Sequence, residues 1–556
     1  MMNKYILSLC LLLIVNVYLK AQENKDEMIF RAMQDEMDRG MKELKQSNCE
    51  PICYSSVDVV YGQSFMIRGV LGGIMNSVVN PIANGVVEVL AGDYNFTSQI
   101  EFPRELGRHQ FFGLPVEPEY RSIRRGIWGA MDATYKMAQK QIFRKRGYFD
   151  NVIVSDEEKK IVPFPKIEPV VKIESSEIEY KIDQAYWENY IKEITAIFQN
   201  YKEITSSGAY ITGKDLDFYH LTTEGTKVKQ SGRYVYFFCG VSLRDAEGVE
   251  RKYQLTETVI SPTDMPSLEE MKKRVTAMAE TLQKIKRAQK FEGEYTGPVL
   301  YLGDVCQRFL LGGDLLGSNS NYIASRRKED PALYMKYKET LENKIGTKVT
   351  HPALTVKNYT FMNEYSGKKL LGSYEIDAEG VIPEKEMTLI ENGVLKQVLS
   401  SRTRSVHTGK TTGSMRFAMN GAPVSSVFPG TLHVSVNEGH TEVQLKKMLI
   451  KEAKKQKLKY AYIVRGQFGA YFPEIYRVDV KSGEEVLVFA AVTPRENWGF
   501  MSRAVAFSSE ESVVNIPAYE YPLSLIYPNG VLIKSMQLKA EPNKVKESTL
   551  TRPMDR

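Results

Sequence analysis

Leu268, Met271, Val275, Met278, Leu282 and Ile285 recur every three or four residues between Ser267 and Arg287. That is the period of a helix with one buried face. Ser267 with Glu270 has the spacing of a capping box at its start. Such a seam calls for another helix or a sheet, in the same chain or in a second subunit. The same period marks Asp26 to Gln46 (Phe30, Met33, Met37, Met41, Leu44) and Asp183 to Tyr201 (Trp187, Ile191, Ile194, Phe198). It marks Tyr120 to Arg146 more loosely, through Ile123, Ile127, Met131 and Ala138. Stripes of this kind usually pack on the chain's own sheet, which is the reading taken here. Pro331 to Ile345 reads as a charged helix and Thr441 to Leu458 as a basic amphipathic one.

Elsewhere the pattern shortens. Ser55 to Asp93 reads as short β runs (VDVVYG, SFMIRGV, GVVEVLAG) punctuated by glycine, a meander under the first helix. Ala209 to Glu257 carries further strands, with Tyr234, Tyr236 and Phe238 alternating and a tight turn at Glu224-Gly225. Val152 to Ile178, with Pro163, Pro165 and Pro169, reads as an extended connector. Gly297 to Leu302 is a short buried strand, and Asp304 a cap for whatever follows it. Beyond Val349 the chain is mostly strand. Asn392-Gly393 lies between two apolar runs, the strongest short hairpin signal. A second hairpin turns at Lys481-Ser482-Gly483. No fixed repeat of about 20 to 50 residues is present, which argues against a solenoid or propeller.

These elements predict an α+β chain. It has an N-terminal sheet-and-helix region at 22–118, a helical and strand-bearing linking region at 119–290 and a β-rich C-terminal domain at 291–539. Residues 540–556 form a polar tail without core residues. The first 21 residues read as a signal peptide, with a basic start (Met1 to Lys4), an apolar run (Tyr5 to Leu19) and a cleavage point near Ala21. The expectation is a secreted or periplasmic protein. No other stretch reaches the roughly 18 apolar residues of a membrane span, so none is expected once the signal is removed.

Composition narrows the function classes. The chain is 43% hydrophobic and 26% charged, an ordinary globular profile. With 74 basic and 68 acidic residues its net charge is +6, which gives no argument for nucleic-acid binding. Cys10 would leave with the signal. Of the four remaining cysteines, Cys49 and Cys53 are spaced for a local disulfide, and Cys239 reads as a small core residue. They form no zinc knuckle, since no second pair lies at ligand spacing.

The segment Ser373 to Asn420 is distinctive: SYEIDAEGVIPEKEMTLIENGVLKQVLSSRTRSVHTGKTTGSMRFAMN. It carries an Asp-x-Glu-Gly turn (Asp377, Glu379, Gly380), a Leu-Ile-Glu-Asn-Gly-Val-Leu hairpin with Asn392 and Gly393, and a Thr-Gly-x-x-Arg element (Thr412, Gly413, Arg416). Upstream stand LTTEGT, with Glu224 and Gly225, the strand GPVLYLG, and the opening helix Arg31 to Leu44. In this order and spacing they resemble the TldD/PmbA family, formerly described as modulators of DNA gyrase, in its long exported form. The resemblance implies dimers that enclose a cavity. One subunit type is a zinc peptidase acting on extended or unfolded peptides. The other has no metal and serves as its partner.

The zinc-bearing type carries His-Glu-x-x-x-His on a helix just after the Gly-Pro-Val strand. Two imidazoles one turn apart share the ion and the Glu acts on its bound water. The corresponding stretch here, CQRFLLGGDLL, has no His and no Glu from Cys306 to Leu316. Asp304 to Gly317 is therefore expected to be shorter or more irregular than a zinc-bearing helix. Gly312-Gly313 weakens helix further, by up to roughly 1 kcal/mol per glycine. No metal and no other cofactor is expected. His220 reads as structural, and His351, His407, His433 and His440 as scattered loop and strand residues. Cys306 is the one candidate nucleophile, though no base stands near it in sequence. Ser401, Ser405 and His407 lie close together without a G-x-S-x-G elbow.

The first expectation is a non-catalytic subunit of a peptidase-type dimer. It would be a homodimer or a heterodimer with a zinc-bearing relative, and would bind extended peptides. The alternatives are a peptidase with a non-zinc site and a structural homodimer of the envelope.

Overall fold

Two strands, Ile52–Val70 (β1) and Gly73–Asp93 (β2), form one hairpin longer than any run the sequence predicts. The glycines expected to punctuate this region do not break it. At Gly62 a Cβ would stand 2.0 Å from the Asp215 carbonyl oxygen, so glycine there permits a close backbone approach within a continuous strand. The computed structural model describes residues 24–98, 109–151, 164–174, 182–244, 249–311, 344–402, 408–466, 473–489, 491–493, 498–518 and 520–541. The signal segment, the body of the helix expected at Pro331 to Ile345, and the tail from residue 542 lie outside them.

β1 pairs on its other side with Ile204–Thr222 (β3), which pairs with Lys227–Arg244 (β4), which pairs with Glu250–Val259 (β5). The boundary placed at residue 118 therefore separates no two sheets: 22–118 and 119–290 share one. Helices Lys25–Glu43 (α1) and Tyr120–Asn151 (α2) cover one end of a face of this sheet. Gln184–Ala196 (α3) and Leu268–Arg287 (α4) cover the other end.

Local chemistry explains α4. The Ser267 hydroxyl accepts from the Glu270 N–H at 3.3 Å, acidic residues open the helix, and Lys284, Lys286 and Arg287 close it. Met271, Val275, Met278, Leu282 and Ile285 are all buried against the sheet, each contributing roughly 1.5–3 kcal/mol before entropy is counted. The seam is thus satisfied within the chain.

Among the described residues the C-terminal half holds two two-stranded sheets and two more large ones. One contains Glu294–Leu302 (β6), flanked by the parallel strand Tyr460–Arg465 and the antiparallel strand Gly530–Ala540. The other is six-stranded, and its central strands include Leu354–Tyr359 and Thr431–Val436. It ends in Tyr521–Pro528 (β7) and, at the edge, Glu511–Ala518 (β8). The hairpin at Asn392-Gly393 forms with both residues at positive φ, 50° and 79°. Glu442–Lys455 opens with a full capping box between Thr441 and Gln444. The mixed α+β class is as expected. No helix among the described residues is long and apolar enough to cross a membrane. The two halves meet where Phe218 of β3 stacks on Phe417 at 4.6 Å between ring centres.

Candidate functional site

β6 runs through a buried core and ends at a 3-10 turn, Gly303–Gln307, followed by a single α-turn, Arg308–Leu311. Side chains three apart in a 3-10 helix eclipse one another. Asp304 and Gln307 accordingly both line one cavity, while Val305 and Cys306 sit in the hydrophobic core. As far as Leu311, the stretch is one 3-10 turn and one α-turn. Gly312 to Gly317, including Asp314, lies outside the described residues.

The cavity, of about 430 Å³, is a cleft between the two halves of the chain. One wall is the helix-free face of the first sheet, with Tyr210, Tyr234 and Tyr236 standing among Thr212, Gln254 and Thr256. The opposite wall is the continuous run Val513 to Pro517 of β8. Among the described residues β8 pairs only with β7, and β5 only with β4. Two strand edges therefore meet at the cleft with backbone groups not taken up by a sheet partner. At one end Glu257 holds both Arg274 (3.0 Å) and Lys368 (3.2 Å).

The floor is polar. Burial holds the Asp304 carboxyl above the usual carboxylate range, and the Tyr527 hydroxyl donates to it at 3.4 Å. Gln307 is 1% exposed, and its Oε1 has no hydrogen-bond partner.

Cys306 does not serve as a nucleophile here. It is 2% exposed, its Sγ lies 3.5 Å from the Tyr301 carbonyl oxygen, and burial pushes the thiol well above its ordinary value. The reactive species would be the thiolate, which this environment disfavours. The turn does not fit zinc either. Cys306 is turned into the core while Asp304 faces the cleft, and no three His, Cys, Asp or Glu side chains group together among the described residues. Two of the described histidines have other company. His351 Nδ1 accepts from the Ala353 N–H at 3.1 Å, and His433 Nε2 lies 2.8 Å from Glu511. His407 falls outside the described residues.

The family-motif positions converge elsewhere, at the joint between the halves. Asp377 is buried and accepts from the N–H groups of Glu379 (2.9 Å), Val381 (2.8 Å) and Met415 (3.1 Å). Its carboxyl is nevertheless pushed up to about 7, first by burial and then by the Glu379 charge. Glu379 accepts from the Arg402 N–H at 2.7 Å, and the Arg402 side chain reaches Glu224 at 2.9 Å. Gly380, at φ 78°, packs so closely on Thr226 that a Cβ would lie 2.5 Å from its Cγ2. Gly225 makes the turn just before Thr226. Arg416 lies 3.8 Å over the Tyr374 ring and donates to the Gly372 carbonyl, while the Tyr374 hydroxyl donates to that of Gly413. Asn392 and Gly393 stand apart from this joint, at their hairpin.

The motif reading missed Arg402, which carries no local signal in SSRTRSVH. It also missed Asp58, whose carboxylate lies 2.6 Å from His220 Nδ1. Burial opposes the imidazole's charge, yet Asp58 outweighs it and His220 is held above its ordinary value. The interruption of VDVV by a charge was the available clue. Cys49 and Cys53 are not bonded to each other: one Sγ faces Gln46, the other the Leu90 carbonyl.

The C-terminal half contains a domain of the TldD/PmbA type. Residues 331–484 match the PmbA/TldA metallopeptidase C-terminal domain. Nearly the whole chain shares its fold with TldE from Thermococcus kodakarensis, at 14% identity and TM-score 0.60, over 92% of this chain and 100% of that one. A protein described as a candidate modulator of DNA gyrase from Thermotoga maritima aligns at 15% identity and TM-score 0.58, covering 91% and 100%. A similarly described protein from Bacteroides thetaiotaomicron aligns at 12% and 0.53, covering 92% and 98%. No curated protein sequence matches significantly.

Proposed function

We propose that this chain is an exported TldD/PmbA relative that binds extended or unfolded peptides in the cleft. It serves as the metal-free, non-catalytic subunit of a peptidase-type dimer. The observation that carries the reading is the strand edge of β8 running along a tyrosine-lined cleft, beside the turn that follows β6. An extended peptide laid on that edge would gain main-chain hydrogen bonds with little sequence selectivity. The tyrosines supply rigid, partly apolar area for its side chains. Absence of His and Glu from Cys306 to Leu316 supports the non-catalytic role.

The test is fluorescence anisotropy with an alternating Ser-Val octapeptide labelled at its C-terminus. Binding is expected, and Tyr236→Ala should weaken it about tenfold. No binding by the unaltered protein would overturn the reading. Elemental analysis is expected to find no stoichiometric zinc, and one tightly bound zinc per chain would defeat the subunit assignment. Copurification of a His-Glu-x-x-x-His relative from the native source would support the heterodimer.

A further inference from the structure

The floor of the cleft offers two acceptors for which the described residues supply little donor. Asp304 and Gln307 share one face of the 3-10 turn. Gln307 is almost wholly buried, with an unpartnered Oε1, an arrangement a protein rarely retains without a donor to meet it. Among the described residues, Asp304 receives only the long bond from Tyr527. The cations nearby act on Asp304 only through space, with their ion pairs made elsewhere. Arg274 and Lys368 are both engaged by Glu257, and across the cleft Lys214 is engaged by Glu520 at 3.3 Å.

We propose that Asp304 and Gln307 form a subsite for a primary ammonium group. Two acceptors on one face of a turn call for a donor with more than one N–H, and the carboxylate calls for positive charge. The ligand's source rests on the peptide-binding reading: it is the α-ammonium of a peptide or the side-chain ammonium of a lysine within it. The arriving cation favours ionised Asp304, so binding releases a proton. Affinity therefore rises with pH through the carboxyl's elevated range and falls again where the ammonium loses its proton, at about pH 8 for an α-amine. The groups facing Asp304 are Tyr527 of β7, Cys306 of its own turn, Glu257 of β5, Arg274 of α4 and Lys368. Asp304→Asn isolates its share of the pH dependence.

The experiment uses the full mature chain, with thermal melting to verify folding. Its probes are the C-terminally labelled Ser-Val octapeptide with a free amino terminus, the N-acetylated form, the N-acetylated form with one central lysine, and lysinamide alone by calorimetry. The free-amine peptide is expected to bind about tenfold tighter than the acetylated one. Asp304→Asn should abolish that preference and Gln307→Leu reduce it. Restoration by the central lysine shows that a side-chain ammonium also serves, and no restoration confines the subsite to the α-ammonium. Equal binding of the free, acetylated and lysine-bearing peptides, or a preference surviving in both variants, overturns the subsite. Gln307→Glu provides an opposite sign, a stronger preference for the amine, should Asp304→Asn fail to fold. Lysinamide binding that depends on Asp304, without peptide binding, keeps the subsite and removes the peptide reading. Binding of neither overturns both.

Discussion

Arg402 donates to Glu224 at 2.9 Å with both side chains out of water, at 0% and 2% exposure. The same guanidinium donates to the Pro165 carbonyl at 2.6 Å and lies 4.2 Å from the Phe164 ring centre. One residue of the C-terminal half thereby fastens both the Glu224 turn and the proline connector. Removing one partner of such a pair strands a buried charge, at roughly 3–5 kcal/mol. Arg402→Met should lower unfolding free energy by about that amount in urea titration. Arg402→Met with Glu224→Leu should recover most of the loss. A double variant no more stable than the single would show that the charge pair is not what holds the joint.

Asp377 predicts a pH dependence. Its folded-state pKa is raised from 3.8 to about 7, so the folded protein holds a proton there that the unfolded chain has released. The associated stability is full below the unfolded value and is lost as pH rises through the folded one. The stability of the natural protein relative to Asp377→Asn should fall between about pH 4 and 7 and stay level above. A difference that grew over that interval would refute the assignment.

Gly380 offers a steric test. Alanine there meets both a left-handed backbone and the Thr226 Cγ2. Gly380→Ala should destabilise by about 1–3 kcal/mol in thermal or chemical unfolding. Adding Thr226→Ser, which removes that methyl, should return part of it. No recovery would place the whole cost in the backbone.

Thiol accessibility distinguishes the cysteines. Among the described residues Cys49 and Cys53 are half-buried and unbonded, whereas Cys239 and Cys306 are buried. Burial pushes the Cys53 thiol up to about 11, so Cys49 should react first with a chromogenic disulfide at pH 8. Cys239 and Cys306 should react only on unfolding. Rapid labelling of Cys306, or loss of peptide binding on Cys306→Ala, would reopen the nucleophile reading.

Local chemistry was legible in the chain. The Ser267 cap, the α4 seam, the Asn392-Gly393 turn and the absence of His and Glu after β6 all follow from neighbours in sequence, where spacing alone settles which groups meet. Even so, the glycines of β1 misled, because a close approach to Asp215 depends on a strand some 150 residues away. Arg402 had no signal at all, since its partners are Glu224 and Pro165. The order of motifs indicated the family, and the eclipsed turn placed Asp304 and Gln307 on one side. Only the packing of β8 across the open face of the first sheet turned that turn into the floor of a cleft. A strand edge becomes a binding surface, and a buried amide an unanswered acceptor, only when distant segments enclose them together.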